Sequence, residues 1–172
     1  MLVLDAISWE VIGPLLEWAP LVVVAEAALD TLLQWGIKVD AVVAAAEHLA
    51  GLDDRLADHG PVKILPQATG ADIFSASLDY LMQTQQSAIN IITADVSPII
   101  DTISQRTPPF NISIITPLHR WSLFKSGPYK KWHPAQTVLQ IRQPGTSSQI
   151  TTPTDGLITL TPTPPFWIAE SL

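Results

Sequence analysis

Through its first two thirds the chain alternates short apolar runs with helical patterns, and that alternation leaves few folds open. Leu2 to Leu4, Leu21 to Ala25, Ala41 to Val43, Val62 to Leu65, Ile89 to Ile92 and Ile112 to Ile115 read as six strands. Several are almost wholly apolar, the pattern of strands buried on both faces. Residues 8–18 suit a short helix limited by Pro14. Ala27, Ala28, Leu32 and Leu33 have helical spacing, and Gly36 stands where a helix would stop. Residues 47–58 read as a charged helix, Ile73, Leu78, Leu81 and Met82 as the apolar face of another, and residues 98–104 as a short one. Strand and helix in this order predict an α/β fold with a parallel, Rossmann-like sheet covered on both sides.

After Pro117 the rhythm changes. Trp121 to Phe124, Thr137 to Ile141, Leu157 to Leu160 and Phe166 to Ala169 are short apolar segments set apart by Gly, Pro, Ser and Thr. His119 to His133, rich in aromatic and basic residues, reads as amphipathic strands. The expected division is an α/β domain over residues 1–116 and a small antiparallel β domain, a sandwich or barrel, over residues 117–172.

The chain has 172 residues, 47% of them hydrophobic, enough for a substantial core. It has no Cys, which removes disulfides and thiolate chemistry and fits the cytoplasm. Neither a secretory leader nor a membrane span is expected. The formal charge of −7 is uneven. Residues 1–101 carry 14 acids against three Lys or Arg, and residues 102–172 carry two against six, so the halves stand near −11 and +4. An acidic first half argues against a nucleic-acid partner. Opposite charge on the two halves favours their mutual association, and with six Trp it suggests a homodimer.

The second and third strands end in "AEAALD" (Ala25 to Asp30) and "AAAEH" (Ala44 to His48), with "GIKVD" (Gly36 to Asp40) between them. "PQATGAD" (Pro66 to Asp72) follows the fourth strand, and Thr69 with Asp72 matches a capping box. Near the C-terminus stand "SSQ" (Ser147 to Gln149), "GLITL" (Gly156 to Leu160) and "PPFW" (Pro164 to Trp167). In order and spacing this resembles the thiamine pyrophosphokinases, most strongly over residues 20–50 and 145–170. Their pattern is A-D-G-G-A-N, then G-I-x-P-D and G-D-F-D-S, then an acidic loop ending in Thr-Asp, with a Ser-Asn pair and Pro-x-x-Trp near the end. The family's Gly-Gly-Arg and Asp-His segment has no counterpart in "TADVSPIID" (Thr93 to Asp101).

The resemblance implies a two-domain homodimer that uses Mg²⁺ and ATP to pyrophosphorylate thiamine. It also shows where this chain departs. Glu26 stands for the family's first Asp, and Ala27 and Ala28 for its two glycines. Ala45 and Glu47 stand for the two Asp of G-D-F-D-S, and His48 for its Ser. Asp72 remains from the acidic loop. Mg²⁺ takes hard oxygen ligands, so methyl groups at these places imply a dismantled metal site. Ala in place of Gly also narrows the backbone conformations open to a phosphate-binding turn.

The expectation is therefore a diverged, catalytically impaired member that retains binding of a small molecule such as thiamine or a nucleotide. Glu26, Glu47 and Asp72 are the catalytic remnants, and no metal ligand is assigned. Ser148, Gln149 and Trp167 are the candidate substrate-binding residues, with the Trp face suited to a thiazolium. The plainer readings stand beside these: Glu26 and Glu47 as acids near helix starts, Asp72 as a capping residue, Ser148 and Gln149 as turn residues, Trp167 as a core seal. His48 lacks a visible nucleophile and orienting acid for general-base work. An active Mg²⁺-dependent transferase and an unrelated phosphate- or nucleotide-binding α/β protein are the alternatives. The latter wants a Gly-rich loop that is missing.

Overall fold

In a computed structural model that describes residues 1–67 and 70–172, ten strands form one mixed sheet and two more form a small separate one. The order across the large sheet is β10-β9-β12-β7-β6-β5-β1-β2-β3-β4. Its parallel part comprises β1 (Leu2–Val3), β2 (Val23–Ala25), β3 (Ala41–Ala44), β4 (Lys63–Pro66), β5 (Ala88–Ile92) and β6 (Asn111–Ile115). Five helices connect or flank these strands: α1 (Trp9–Leu16), α2 (Glu26–Gln34), α3 (Leu52–Leu56), α4 (Ile73–Gln83) and α5 (Ser97–Arg106). A 3-10 segment, Ala46–Gly51, leads into α3.

Strand residues alternate strictly between two cores. Leu2, Val23, Ala41, Val43, Ile91 and Ile114 face Phe74, Leu78 and Leu81 of α4 and Ile99, Ile100 and Ile103 of α5. Val3, Val24, Val42, Ala44, Ile92 and Ile115 face Ile12 of α1, Leu29 and Leu32 of α2, and Leu52 of α3. Burial on both faces is why these strands carry little polar residue signal. Gly36 follows α2 at φ +69, a left-handed position that suits glycine.

The parallel part ends at β6. β7 (His119–Phe124) pairs antiparallel with β6, and β12 (Phe166–Ser171), β9 (Val138–Gln143) and β10 (Thr146–Thr151) extend the sheet antiparallel beyond it. β8 (Tyr129–His133) and β11 (Gly156–Leu160) form the separate pair. Tyr129, Ile158 and Leu160 of that pair pack on Leu139, Phe166 and Ile168 of the main sheet, giving a second layer and a third core. The segment holding Ser148 and Gln149 is a strand, not a turn; its residues are mostly exposed because β10 is the sheet's edge. Residues 47–58 are divided between the 3-10 segment and α3, with Gly51 at the junction, where a poor helix former weakens a continuous helix.

Candidate functional site

β1 has β2 on one side and β5 on the other, so the chain reverses its direction of progress across the sheet between β1 and β5. Crevices at the carboxyl ends of strands beside such a reversal are the usual ligand sites of open α/β sheets. Here a cleft of about 540 Å³ opens at that place. Its walls are Leu4, Asp5, Ala25, Ala27, Asp72, Ile73, Phe74, Thr93, Asp95, Pro98, Ile99 and Thr102.

Asp5 lies two residues past the end of β1. Its Oδ2 accepts hydrogen bonds from Thr93 Oγ1 at 3.0 Å and from the Ala94 amide at 2.8 Å. Thr93 is buried. Asp95 lies just beyond and accepts the Ser97 amide at 2.9 Å, at the start of α5. Sequence reading missed both acids. The available signal was Asp5 itself, a lone carboxylate at the end of the first strand.

Asp72 is the N-cap of α4. Its carboxylate accepts the Ser75 amide at 2.8 Å and the Ser75 hydroxyl at 2.7 Å. This corrects the capping-box register: the cap is Asp72 with Ser75 three residues on, while Thr69 lies outside the described residues. Burial pushes the Asp72 carboxyl up, but the hydrogen bonds from Ser75 outweigh it and hold the group below the ordinary value.

Glu26 is the first residue of α2, which starts with no loop after β2. Its Oε2 lies 2.7 Å from His48 Nδ1, and its Oε1 accepts Arg55 at 3.1 Å. Arg55 also donates to Asp30 at 2.8 Å. His48 therefore has an acid partner that the sequence did not reveal. Glu47 is exposed in the first turn of the 3-10 segment, and Ala45 precedes that segment. Ala27 and Ala28 lie inside α2 with ordinary negative φ, Ala28 in the core and Ala27 on the cleft wall.

The three candidate substrate residues lie away from this cleft's lining. Trp167 is 2% exposed within the core that α4 and α5 cover. Ser148 and Gln149 are exposed on β10. Register aligns Gln149 with Gln140 and Ala169, and Ser148 with Ile141 and Ile168. Facing residues share a side of a sheet and neighbours alternate. Gln149 thus shares a side with Trp167, and Ser148 takes the other.

The donor set does not fit Mg²⁺. Among the described residues no three His, Cys, Asp or Glu side chains are placed to hold one metal ion. Asp5, Asp72 and Asp95 line the cleft but are not placed to hold one metal ion together. No described helix is long and apolar enough to cross a membrane.

This arrangement defines an α/β protein with a crevice at a sheet reversal and an antiparallel extension. No known family model and no curated protein matches the sequence. Solved structures do match the fold. Thiamin pyrophosphokinase from Candida albicans superposes with a TM-score of 0.71 at 11% identity, covering 99% of this chain and 88% of that one. Yeast thiamin pyrophosphokinase gives 0.61 at 11% identity, with 99% and 85% covered. The enzyme from Bacillus subtilis gives 0.60 at 14% identity, with 99% and 92% covered. The chain has the thiamin pyrophosphokinase fold, and its sequence is far diverged from these three.

Proposed function

We propose that the chain is a diverged, non-catalytic relative of the thiamine pyrophosphokinases that keeps small-molecule binding. One observation carries this reading. Glu26, the residue that replaces the first carboxylate of the family motif, spends both oxygens inside the protein, on His48 and Arg55. A carboxylate held this way must break an ion pair before it can serve a metal or a hydroxyl.

The neighbouring departures support it. Pyrophosphoryl transfer depends on positioned groups that neutralise charge on phosphate oxygens. Ala45 offers a methyl group where the resemblance wants a ligand, and Glu47 is exposed on the 3-10 segment. The test is a coupled assay with ATP, thiamine and Mg²⁺ or Mn²⁺, in which the reading expects no turnover above background.

A homodimer completes the proposal. Besides the opposite charge of the two halves, the cross-strand pair Trp132 and Leu157 lies 58% and 57% exposed on the β8–β11 pair. Aromatic anchors of this kind dominate many protein contacts. Light scattering should return twice the chain mass at micromolar concentration, and a monomer there would refute the dimer.

A further inference from the structure

A second cleft, of about 310 Å³, opens at the other edge of the sheet. Val22 and Asp40 line it, each one residue before its strand begins, so it stands at the amino ends of β2 and β3. Trp9 and Leu16 of α1 and Trp35, the C-cap of α2, also line it. The two indoles meet edge to face, with centroids 6.0 Å apart and planes at 70°. Trp9 is 47% exposed, and Trp18, next to the lining residue Ala19, is 87% exposed. Large aromatic surface left in water around one opening marks an interaction site.

The position of Trp9 is built into its helix. α1 reads "WEVIGPLL", with Gly13 in its interior. Gly there weakens a helix relative to Ala. Here it makes room, because a Cβ at Gly13 would stand 3.2 Å from Cε2 of the Trp9 ring. The indole lies against its own helix and on Trp35, so its orientation costs little further entropy on binding.

The polar side chains that line the cleft are donors or are already engaged. Both Asp40 oxygens are taken, by the Val22 amide at 2.8 Å and by Lys38 Nζ at 2.9 Å. The indole N–H groups and the other Lys38 protons donate and cannot accept. A fitting ligand is apolar, rich in acceptors and poor in donors. Proline has that chemistry, since its carbonyl accepts and it has no N–H. A polyproline helix makes no internal hydrogen bonds, and aromatic-lined grooves receive such segments.

Charge beside the cleft adds a second requirement. Glu10 and Glu17 each follow a lining residue of α1, Trp9 and Leu16, and both are exposed. Seven residues separate them, two helical turns or ~10 Å along one face of α1. Lys38 is paired with Asp40, so these two acids set the net charge of the border. In a polyproline helix, residues three apart share a side and lie ~9 Å from each other. Two basic residues at that spacing match the two acids.

We infer that this cleft docks a proline-rich segment of a partner protein, with arginine or lysine three residues apart facing Glu10 and Glu17. The prolines pack on Trp9, Trp35 and Leu16, and their carbonyls take the indole and Lys38 donors. The site lies across the sheet from the β1/β5 cleft and stands whether or not the chain turns over a substrate.

The probe is a capped octapeptide of proline with arginine at its third and sixth positions. One control replaces every proline by alanine, and another replaces both arginines by glutamate. Each is titrated into the full chain at low and high salt, with Trp fluorescence and NMR shifts of indole and amide N–H groups as readouts. The expected result is saturable binding of the first peptide, shifting the indole signals of Trp9 and Trp35, with both controls about tenfold weaker or worse. Trp9→Ala should weaken binding about tenfold. Glu10→Gln with Glu17→Gln should weaken it about threefold and remove most of its salt dependence. If Trp9→Ala fails to fold, the glutamate double variant and the indole shifts of the unmodified protein decide. No saturable binding, equal binding of either control, or unchanged affinity in a folded variant would overturn the inference. So would shifts that spare both indoles. Indole signals that move with protein concentration alone would overturn it too, by showing a second copy of the chain in the cleft.

Discussion

Asp5 and Thr93 stand 88 residues apart in sequence and meet across the carboxyl ends of β1 and β5 at 3.0 Å. The contact ties the first strand of the chain to the strand at which the sheet changes direction. Thr93 Oγ1 is also 3.0 Å from the Asp95 carbonyl, so the one proton of this buried hydroxyl is shared between two acceptors.

Thr93→Val keeps the shape of the side chain and removes this donor. A hydrogen bond to a charged group contributes about 1.5–3 kcal/mol, and the Ala94 amide still holds Asp5, so a loss of about 1–2 kcal/mol is expected. Urea unfolding should show a lower midpoint with an unchanged slope. A midpoint equal to that of the unmodified protein would show that the hydroxyl contributes nothing there.

Asp72 gives a pH signature. Its folded carboxyl lies below the ordinary value of 3.8, so the charged form is favoured in the native state. The stability it adds is complete above the unfolded value and is lost as pH falls through the lower folded value. Asp72→Asn keeps a capping side chain but cannot titrate. The stability difference between the two proteins should therefore shrink between pH 5 and the acid limit of folding. A difference that stays constant, or grows, over that range would contradict the assignment.

Phe166 joins the two layers of the C-terminal part. It is fully buried and stacks on Phe124 with ring centroids 5.2 Å apart. Phe166→Ala should cost about 3–5 kcal/mol, through lost burial and the cavity left behind. Hydrogen exchange should then accelerate in β8 and β11, whose Tyr129, Ile158 and Leu160 belong to the same core. Uniform acceleration across β1 to β6 with β8 and β11 spared would argue against that packing.

The parallel half of the fold was legible because burial on both faces writes near-continuous apolar runs such as Ala41 to Ala44 and Ile89 to Ile92. The C-terminal part was legible only where a strand has an inward face. β12 showed through Phe166 to Ala169, which are all buried. β10 did not, because "TSSQIT" is an edge strand with almost nothing to bury, and its residues read as turn formers. The candidate site was half legible. Glu26 and Asp72 stood in recognisable surroundings, but the roles of Asp5 and Asp95 depend on which strands become neighbours, and spacing along the chain does not carry that. The same holds for Arg55, which reaches Glu26 over 29 residues of sequence.

On the function proposed above, the chain does not carry out pyrophosphoryl transfer. Positioning errors of ~1 Å cost on the order of 10²-fold in rate; here Ala45 carries only a methyl group, and Glu26 is held by His48 and Arg55. The direct measurement is the coupled assay with ATP, thiamine and Mg²⁺ or Mn²⁺, run on the unmodified chain beside Ala45→Asp. No turnover above background is expected from the unmodified chain, and none from Ala45→Asp alone, since Glu26 stays paired. Turnover of about one per second from the unmodified chain, in the ordinary range for enzymes, would contradict it.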